Sequence, residues 1–238
     1  RECGVEIIRG CELGVQGQYG EIHLLGLWLP RHSAPLDAEL ARLRGHREER
    51  NLKILDRLRS IGINIGYQEV LDEAGGESVG RPHIARVLQK RGIVSNFAQA
   101  FELYLGYYGA AYVPRTLLTP EEGVSLMADL GAVVSFAHPM LIRCPPSWFD
   151  EIIPRLKEAG LGAIEAYHSE HSARDERFCV ELAARYGLGL SGGSDYHGMA
   201  KPGVELGRGK GGLRVTVALL DALKARRKRP VDDAPEVL

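Results

Sequence analysis

Between Thr119 and Gly198 the chain repeats one arrangement: a helix-length amphipathic segment, a short apolar run, and a polar residue where the run ends. The runs are residues 132–137, 163–168 and 188–191, and they lead into His138, His168, and Asp195 with His197. Helices are expected over 120–130, 148–159 and 172–186. Thr119-Pro120-Glu121-Glu122 opens the first as a capping box, with Thr as N-cap, Pro at the first helical position and Glu three residues after the cap. Strands alternating with helices at this spacing pair in parallel, because a parallel connection needs a long crossover. In such sheets ligands bind at the carboxyl ends of the strands. One histidine there has an ordinary structural use. Several on one rim point to a metal site, and oxygen and imidazole donors without thiolates suit manganese, iron or zinc rather than a structural zinc knuckle.

The last of these ends is Gly192-Gly193-Ser194-Asp195-Tyr196-His197-Gly198. An extended Asp-x-His places both side chains on one face, and the glycines allow close approach of an ion or ligand. A polar turn, with Asp195 capping local N–H groups, is the alternative for this stretch by itself. Three other patterns in the region fail on context. Gly187-x-Gly189-x-x-Gly192 spells a dinucleotide fingerprint, but a helix precedes it where a strand is needed. Gly209-Lys210 lacks both the first glycine and the Ser or Thr of a P-loop. Gly189-x-Ser191-x-Gly193 spells a nucleophile elbow, yet a glycine-rich loop follows where a helix must.

Upstream, residues 5–8 read as a short strand running into Arg9-Gly10-Cys11-Glu12, and residues 22–29 as a second strand beyond a Gln/Gly-rich turn. Glu12 would end the first and His23 sit inside the second, so the two could share an ion. His23 alone also reads as a hydrogen-bonded core histidine. From Leu36 a long amphipathic helix is expected, with Leu36, Leu40, Leu43, Leu52, Leu55 and Leu58 on its apolar face and arginines from Arg42 to Arg59 forming a solvated or a basic face. Shorter helices follow over 67–74, 82–89 and 97–105, the last capped by Ser95. The aromatics Phe97, Phe101, Tyr104, Tyr107, Tyr108 and Tyr112 are expected mostly to form a small core. Residues 33–118 thus read as an all-helical block inserted between strand-bearing parts 1–32 and 119–238.

Composition adds limits. A net charge of −1 gives no global reason to expect nucleic acid or an acidic membrane surface, so polyanion binding must come from a local patch. The run from Lys224 to Arg229 is one such patch, or a set of cations at a helix carboxyl end. The cysteines Cys3, Cys11, Cys144 and Cys179 have no CxxC or zinc-ribbon spacing and read as reduced thiols of a cytoplasmic protein. No apolar run is long enough to span a bilayer, and nothing calls for an obligate protein partner.

Taken in order, Arg9-Gly10-Cys11-Glu12, Glu21-Ile22-His23-Leu24-Leu25-Gly26, Ser135-Phe136-Ala137-His138-Pro139, Ile164-Glu165-Ala166-Tyr167 with His171-Ser172, and Gly193-Ser194-Asp195-Tyr196-His197-Gly198 resemble the PHP family, named for polymerase and histidinol phosphatase. Arg81-Pro82-His83-Ile84-Ala85-Arg86 and Tyr112-Val113-Pro114-Arg115 resemble the helical insertion of its branch acting on nucleoside bisphosphates and short RNA.

The resemblance implies an α/β fold, a distorted (β/α)7 barrel with the helical insertion as a cap, and two or three divalent ions, Mn2+ first and Fe2+ or Zn2+ as alternatives. It implies Glu12, His23, His138, Asp195 and His197 as metal ligands, with His138, Asp195 and His197 at the reaction centre. Arg81, His83, Arg115, His171 and Arg208 become candidates for holding substrate phosphate. The implied activity is a metal-dependent phosphoesterase acting on a nucleotide or short RNA. The family pattern also opens with a His-x-His segment and further ligands ahead of the Glu12 element, which residues 1–4 do not supply. The expectation is therefore a chain starting after the first barrel strands, and the alternative function is a catalytically impaired binding or regulatory module.

Overall fold

The computed structural model of the protein describes residues 5–76, 78–198 and 201–227. The chain divides into two compact units, Arg1–Leu36 with Leu117–Leu238, and Asp37–Thr116.

The first unit is built on an open mixed sheet, with five strands in the order β1-β2-β3-β4-β5 and helices around it. Among the described residues the sheet does not close into the expected (β/α)7 barrel. β1 (Gly10–Gly17) and β2 (Gly20–Leu27) form an antiparallel hairpin, with Gly17 opposite Gly20. Gly20 takes φ +127° in the turn, a conformation open to glycine and strained for other residues. The first strand begins later than residues 5–8, because those residues pair with no described strand and leave Val5 and Ile7 exposed.

Alternation within the hairpin decides what faces the core. Leu13, Val15, Ile22 and Leu24 are buried on one side, so Glu12, Gly14, Glu21 and His23 lie on the other. β3 (Val133–Phe136), buried at every position, pairs antiparallel with β2 and parallel with β4 (Leu161–His168), which pairs parallel with β5 (Gly189–Gly193). The parallel strands therefore point their carboxyl ends, and the residues beyond them, the same way.

The helices of this unit carry clear start and stop signals. α5 (Pro120–Asp129) has the expected capping box: Thr119 Oγ1 accepts from Glu122 N and Glu122 Oε2 from Thr119 N. α6 (Trp148–Ala159) ends at Gly160 and α7 (Ala173–Tyr186) at Gly187, both left-handed, and Ser172 caps α7. α8 (Val217–Lys224) sets Leu223 against Trp28, Val133 and Ala163. Beyond it, Arg226 donates to the Gly187 carbonyl, a structural use for one member of the basic run; Lys228 and Arg229 lie outside the described residues, as does Cys3. The described cysteines Cys11, Cys144 and Cys179 are free thiols. No described helix is long and apolar enough to cross a membrane.

The second unit holds most of α1 (Ala34–Ser60), with α2 (Tyr67–Ala74), α3 (Arg81–Lys90), and α4 (Phe97–Ala100) running into a π-helical turn at Phe101–Leu105. Its core includes Ile54, Leu58, Ile84, Leu88 and Leu105. The buried stripe of α1 runs through Asn51, Ile54, Leu55 and Leu58, and Leu52 turns outward. Asn96, not Ser95, caps α4 by accepting from Gln99 N. Phe101 and Tyr104 pack on this core, but Phe97, Tyr107 and Tyr108 are exposed, so half of the six aromatics lie outside the core that most were expected to form.

α5 lies close against the hairpin because Gly123 has no side chain: a Cβ there would stand 2.6 Å from Val15 Cγ1 and 3.1 Å from Leu24 Cδ1. Gly123→Val should overpack this contact and lower stability by about 1–3 kcal/mol, read as a lower urea midpoint with unchanged m value. An unchanged midpoint would show that α5 can move away from the hairpin at no cost.

Candidate metal centre

Two strands and the end of a third bring one candidate ligand each to a single point. Glu12 is the third residue of β1, and His23 sits on the same face of β2, opposite Gly14. His138 stands just past β3, with Ala137 N still bonded to His23 O across the strand pair. Glu12 Oε1 lies 2.7 Å from His23 Nδ1 and 3.2 Å from His138 Nε2, and the two imidazole nitrogens are 3.3 Å apart. Two ligands each ~2.1 Å from a tetrahedral ion stand about 3.4 Å from one another. The donor atoms are thus already at nearly the spacing that an ion requires.

Glu12 belongs to a second group as well. Ligand atoms of Glu12, Asp195 and His197 all lie within 4.8 Å of one another, as do those of Glu12, His23 and His138. A carboxylate shared by two groups is suited to bridging neighbouring ions. The structure therefore contains two candidate clusters for divalent metal, built from all five residues expected as ligands.

Two of the five sit on strained backbone. His138 has φ 28° and Asp195 φ 53°, in the left-handed region that non-glycine residues seldom adopt. For His138 a cause is visible: the buried carboxylate of Glu165, on β4, accepts from His138 N at 2.8 Å and holds the turn. Burial pushes the Glu165 pKa up to about 7, with the His138 N–H bond opposing it. Asp195 is held from several sides, by Lys201 Nζ at 2.5 Å, His168 Nε2 at 3.4 Å and His197 Nδ1 at 3.1 Å. Burial raises its pKa, but the bond and charge of Lys201 win and the net shift is downward. His168 is buried, and desolvation first, then nearby imidazoles, lower its pKa to about 4, so it is neutral. Its Nδ1 accepts from Glu170 N, which leaves Nε2–H to donate to Asp195. His168 thus orients a candidate ligand in the way outer partners of metal sites do.

Glu165 and Lys201 were not among the residues singled out for the site, and His168 was expected on its rim but not as a ligand. His168 at least ends a predicted strand, whereas the roles of Glu165 and Lys201 depend on contacts between separate elements. Arg143 joins them, exposed and lining an open cleft with Tyr19, His23, His138 and Ile142. Of the expected phosphate-holding residues, His171 and Arg208 are in the first unit. His171 Nδ1 bonds the Ala166 carbonyl and its Nε2 is buried, so it offers solvent no N–H. Arg208 is exposed on the loop after Lys201. Arg81, His83 and Arg115 are in the second unit. There Arg81 donates to the Leu105 carbonyl, and His83 Nδ1 accepts from Gly80 N at the start of α3.

No family model matches the chain. A 5'-3' exoribonuclease of Haemophilus influenzae is 29% identical over 197 residues, covering 83% of this chain and 72% of that protein. A 3',5'-nucleoside bisphosphate phosphatase of Chromobacterium violaceum is 26% identical over 230 residues, covering 96% and 81%. Among solved structures, a Bifidobacterium adolescentis protein assigned to the metal-dependent phosphoesterases superposes with a TM-score of 0.77 at 26% identity, covering 96% of this chain and 79% of that one. Together with the donor clusters, these place the chain in the metal-dependent phosphoesterase superfamily, related to nucleotide phosphatases and exoribonuclease-like enzymes.

The charge state of His23 gives a test. Its hydrogen bond to Glu12, then that to Glu21, raises its pKa to about 9 against the effect of burial. An ion must displace that proton, so apparent affinity for Mn2+ or Zn2+ should rise from pH 6.5 toward about 9 and then level off, with proton release on binding. Metal-free stability runs the other way: a raised folded pKa stabilises below the unfolded value of 6.5, and that contribution is lost as pH rises through about 9. Calorimetry in buffers of different ionisation enthalpy measures the proton count. Zero proton release at neutral pH would contradict the assignment of His23 as a ligand.

Proposed function

We propose that the protein hydrolyses phosphate esters of nucleotides, either a nucleoside 3',5'-bisphosphate or the 5' end of a short RNA, with divalent metal held by Glu12, His23, His138, Asp195 and His197. The observation that carries this reading is the single Glu12 oxygen shared between two imidazoles at metal-ligand spacing. By name, one relative cited above is an exoribonuclease and the other a nucleoside bisphosphate phosphatase, which supports the substrate class. We further propose that the open sheet is an arc of a distorted (β/α)7 barrel of the PHP type, since its parallel strands carry their polar residues at one end. Mn2+ fits the carboxylate and imidazole donors, with Fe2+ and Zn2+ as alternatives.

Divalent ions held by Glu12, His23, His138, Asp195 and His197 would supply Lewis acidity near neutral pH. The residues of the chain prepare that chemistry. Glu12 stays ionised, because its bonds from His138 and then His23 hold its carboxyl far below the usual range. Glu165 fixes the backbone that aims His138. His168 and Lys201 fix Asp195. Arg143, exposed beside His23 and His138, is a guanidinium suited to the non-reacting oxygens of a phosphate. Arg81, His83 and Arg115, in the second unit, are proposed as candidates for holding phosphate.

A second reading, an impaired module that binds without turnover, is favoured by one observation. The Lys201 ammonium already neutralises Asp195, as a metal would. Activity and metal content separate the two. On the first reading the Mn2+-loaded protein releases phosphate from nucleotide esters, chelation abolishes this, and His138→Asn or Asp195→Asn lowers kcat by about a hundredfold or more, consistent with losing several kcal/mol of charge stabilisation. On the second, the protein retains almost no metal, and Lys201→Ala increases what it holds.

A further inference from the structure

Lys201 gives the second ligand cluster a cation of its own. Its ammonium lies 2.5 Å from Asp195 Oδ2 and 3.8 Å from Glu170 Oε1. Burial works against that charge, but the bond and charge of Asp195, then the charges of Glu170 and Glu12, prevail and favour it. Two of these three carboxylates, Glu12 and Asp195, form the second cluster with His197. An ammonium so placed neutralises the oxygens that a divalent ion would take, and it repels a dication arriving beside it. The first cluster is organised differently, because there Glu12 Oε1 meets the imidazoles of His23 and His138 directly. An ion can enter that cluster with Lys201 still at Asp195.

Lys201 also has a second carboxylate within reach. Glu170 stands in the turn between β4 and α7, where its Oε1 lies 3.3 Å from Lys210 Nζ. An ionised carboxylate offers about four acceptor positions, so Glu170 has room for a second ammonium beside that of Lys210. The main chain of Lys201 is tied down, since its carbonyl accepts from the N–H of the buried Val204 at 3.4 Å. Its four-carbon stem is flexible, so the ammonium can pass from Asp195 to Glu170 while the backbone stays in place.

We propose that Lys201 is a tethered counter-cation that sets the order in which the two clusters fill. One ion enters among Glu12, His23 and His138 first, and a second enters beside Asp195 and His197 as the ammonium passes to Glu170. This rests on the metal-centre reading and extends it, because the doubly loaded state then requires a higher ion concentration than the singly loaded one. It differs from the impaired module in that the chain takes up both ions.

The test is a titration of the full chain with Mn2+, counting free ion by electron paramagnetic resonance, with no substrate present. The wild-type chain should show one tight and one weak site. Asp195→Asn should remove the weak site and keep the tight one. Lys201→Met keeps the stem and removes the charge; it should tighten the weak site about tenfold, the worth of a charged hydrogen bond, and move the tight site far less. Lys201→Arg should keep both affinities near those of the wild type. Glu170→Gln should weaken the second site when Lys201 is present and leave it unchanged in the Lys201→Met background, a coupling that a merely structural glutamate would not show. Unchanged affinities in Lys201→Met, a looser second site there, or equal effects of Glu170→Gln in both backgrounds overturn the proposal. A wild-type chain and a Lys201→Met variant that both bind no Mn2+ sink the metal-centre reading and this proposal with it, a result distinct from those three. Ordered filling without hydrolysis of any nucleotide ester sinks the phosphoesterase reading and leaves this one standing.

Discussion

The centre of the first unit depends on one carboxylate. Glu12 Oε1 stands within bonding distance of His23 and of His138, drawn from two other strands. A proton on His23 offsets the negative charge, and an ion bound there would take that proton's place. Metal-free stability and metal affinity would then depend on pH with opposite signs.

That arrangement requires the hairpin. A strand shifted by one residue would exchange Glu12 for Leu13 and bury the carboxylate beneath α5. Register is held by the tight turn at Gly20, by the buried set Leu13, Val15, Ile22 and Leu24, and by the close approach of Gly123. Further along the sheet, Glu165 serves the same end from β4, bonding the backbone of His138 where φ is 28°. Packing and site geometry therefore meet at the same few residues.

Much of this was legible in the chain. Short apolar runs between helix-length amphipathic segments located the parallel strands, and the box at Thr119 marked a helix start, because those signals are local. Glu12 and His23 were recognisable as a pair because a hairpin connects them directly. What escaped was nonlocal. The grip of Glu165 on His138 and that of Lys201 on Asp195 join separate elements, with no motif to announce them. Residues 5–8 look like a strand by composition but find no partner among the described residues. Tyr107 and Tyr108 look like core by aromatic content, yet the turn that carries them faces outward. Asn96 displaced Ser95 as cap because a one-residue difference in helix start lies below what propensity can resolve.

Anomalous diffraction from crystals grown with Mn2+ tests the central claim most directly. A peak bonded at once to Glu12, His23 and His138, with any second peak sharing Glu12 with Asp195 and His197, is the predicted result. Manganese bound only at other carboxylates, with Glu12 still hydrogen-bonded to a protonated His23, would contradict it.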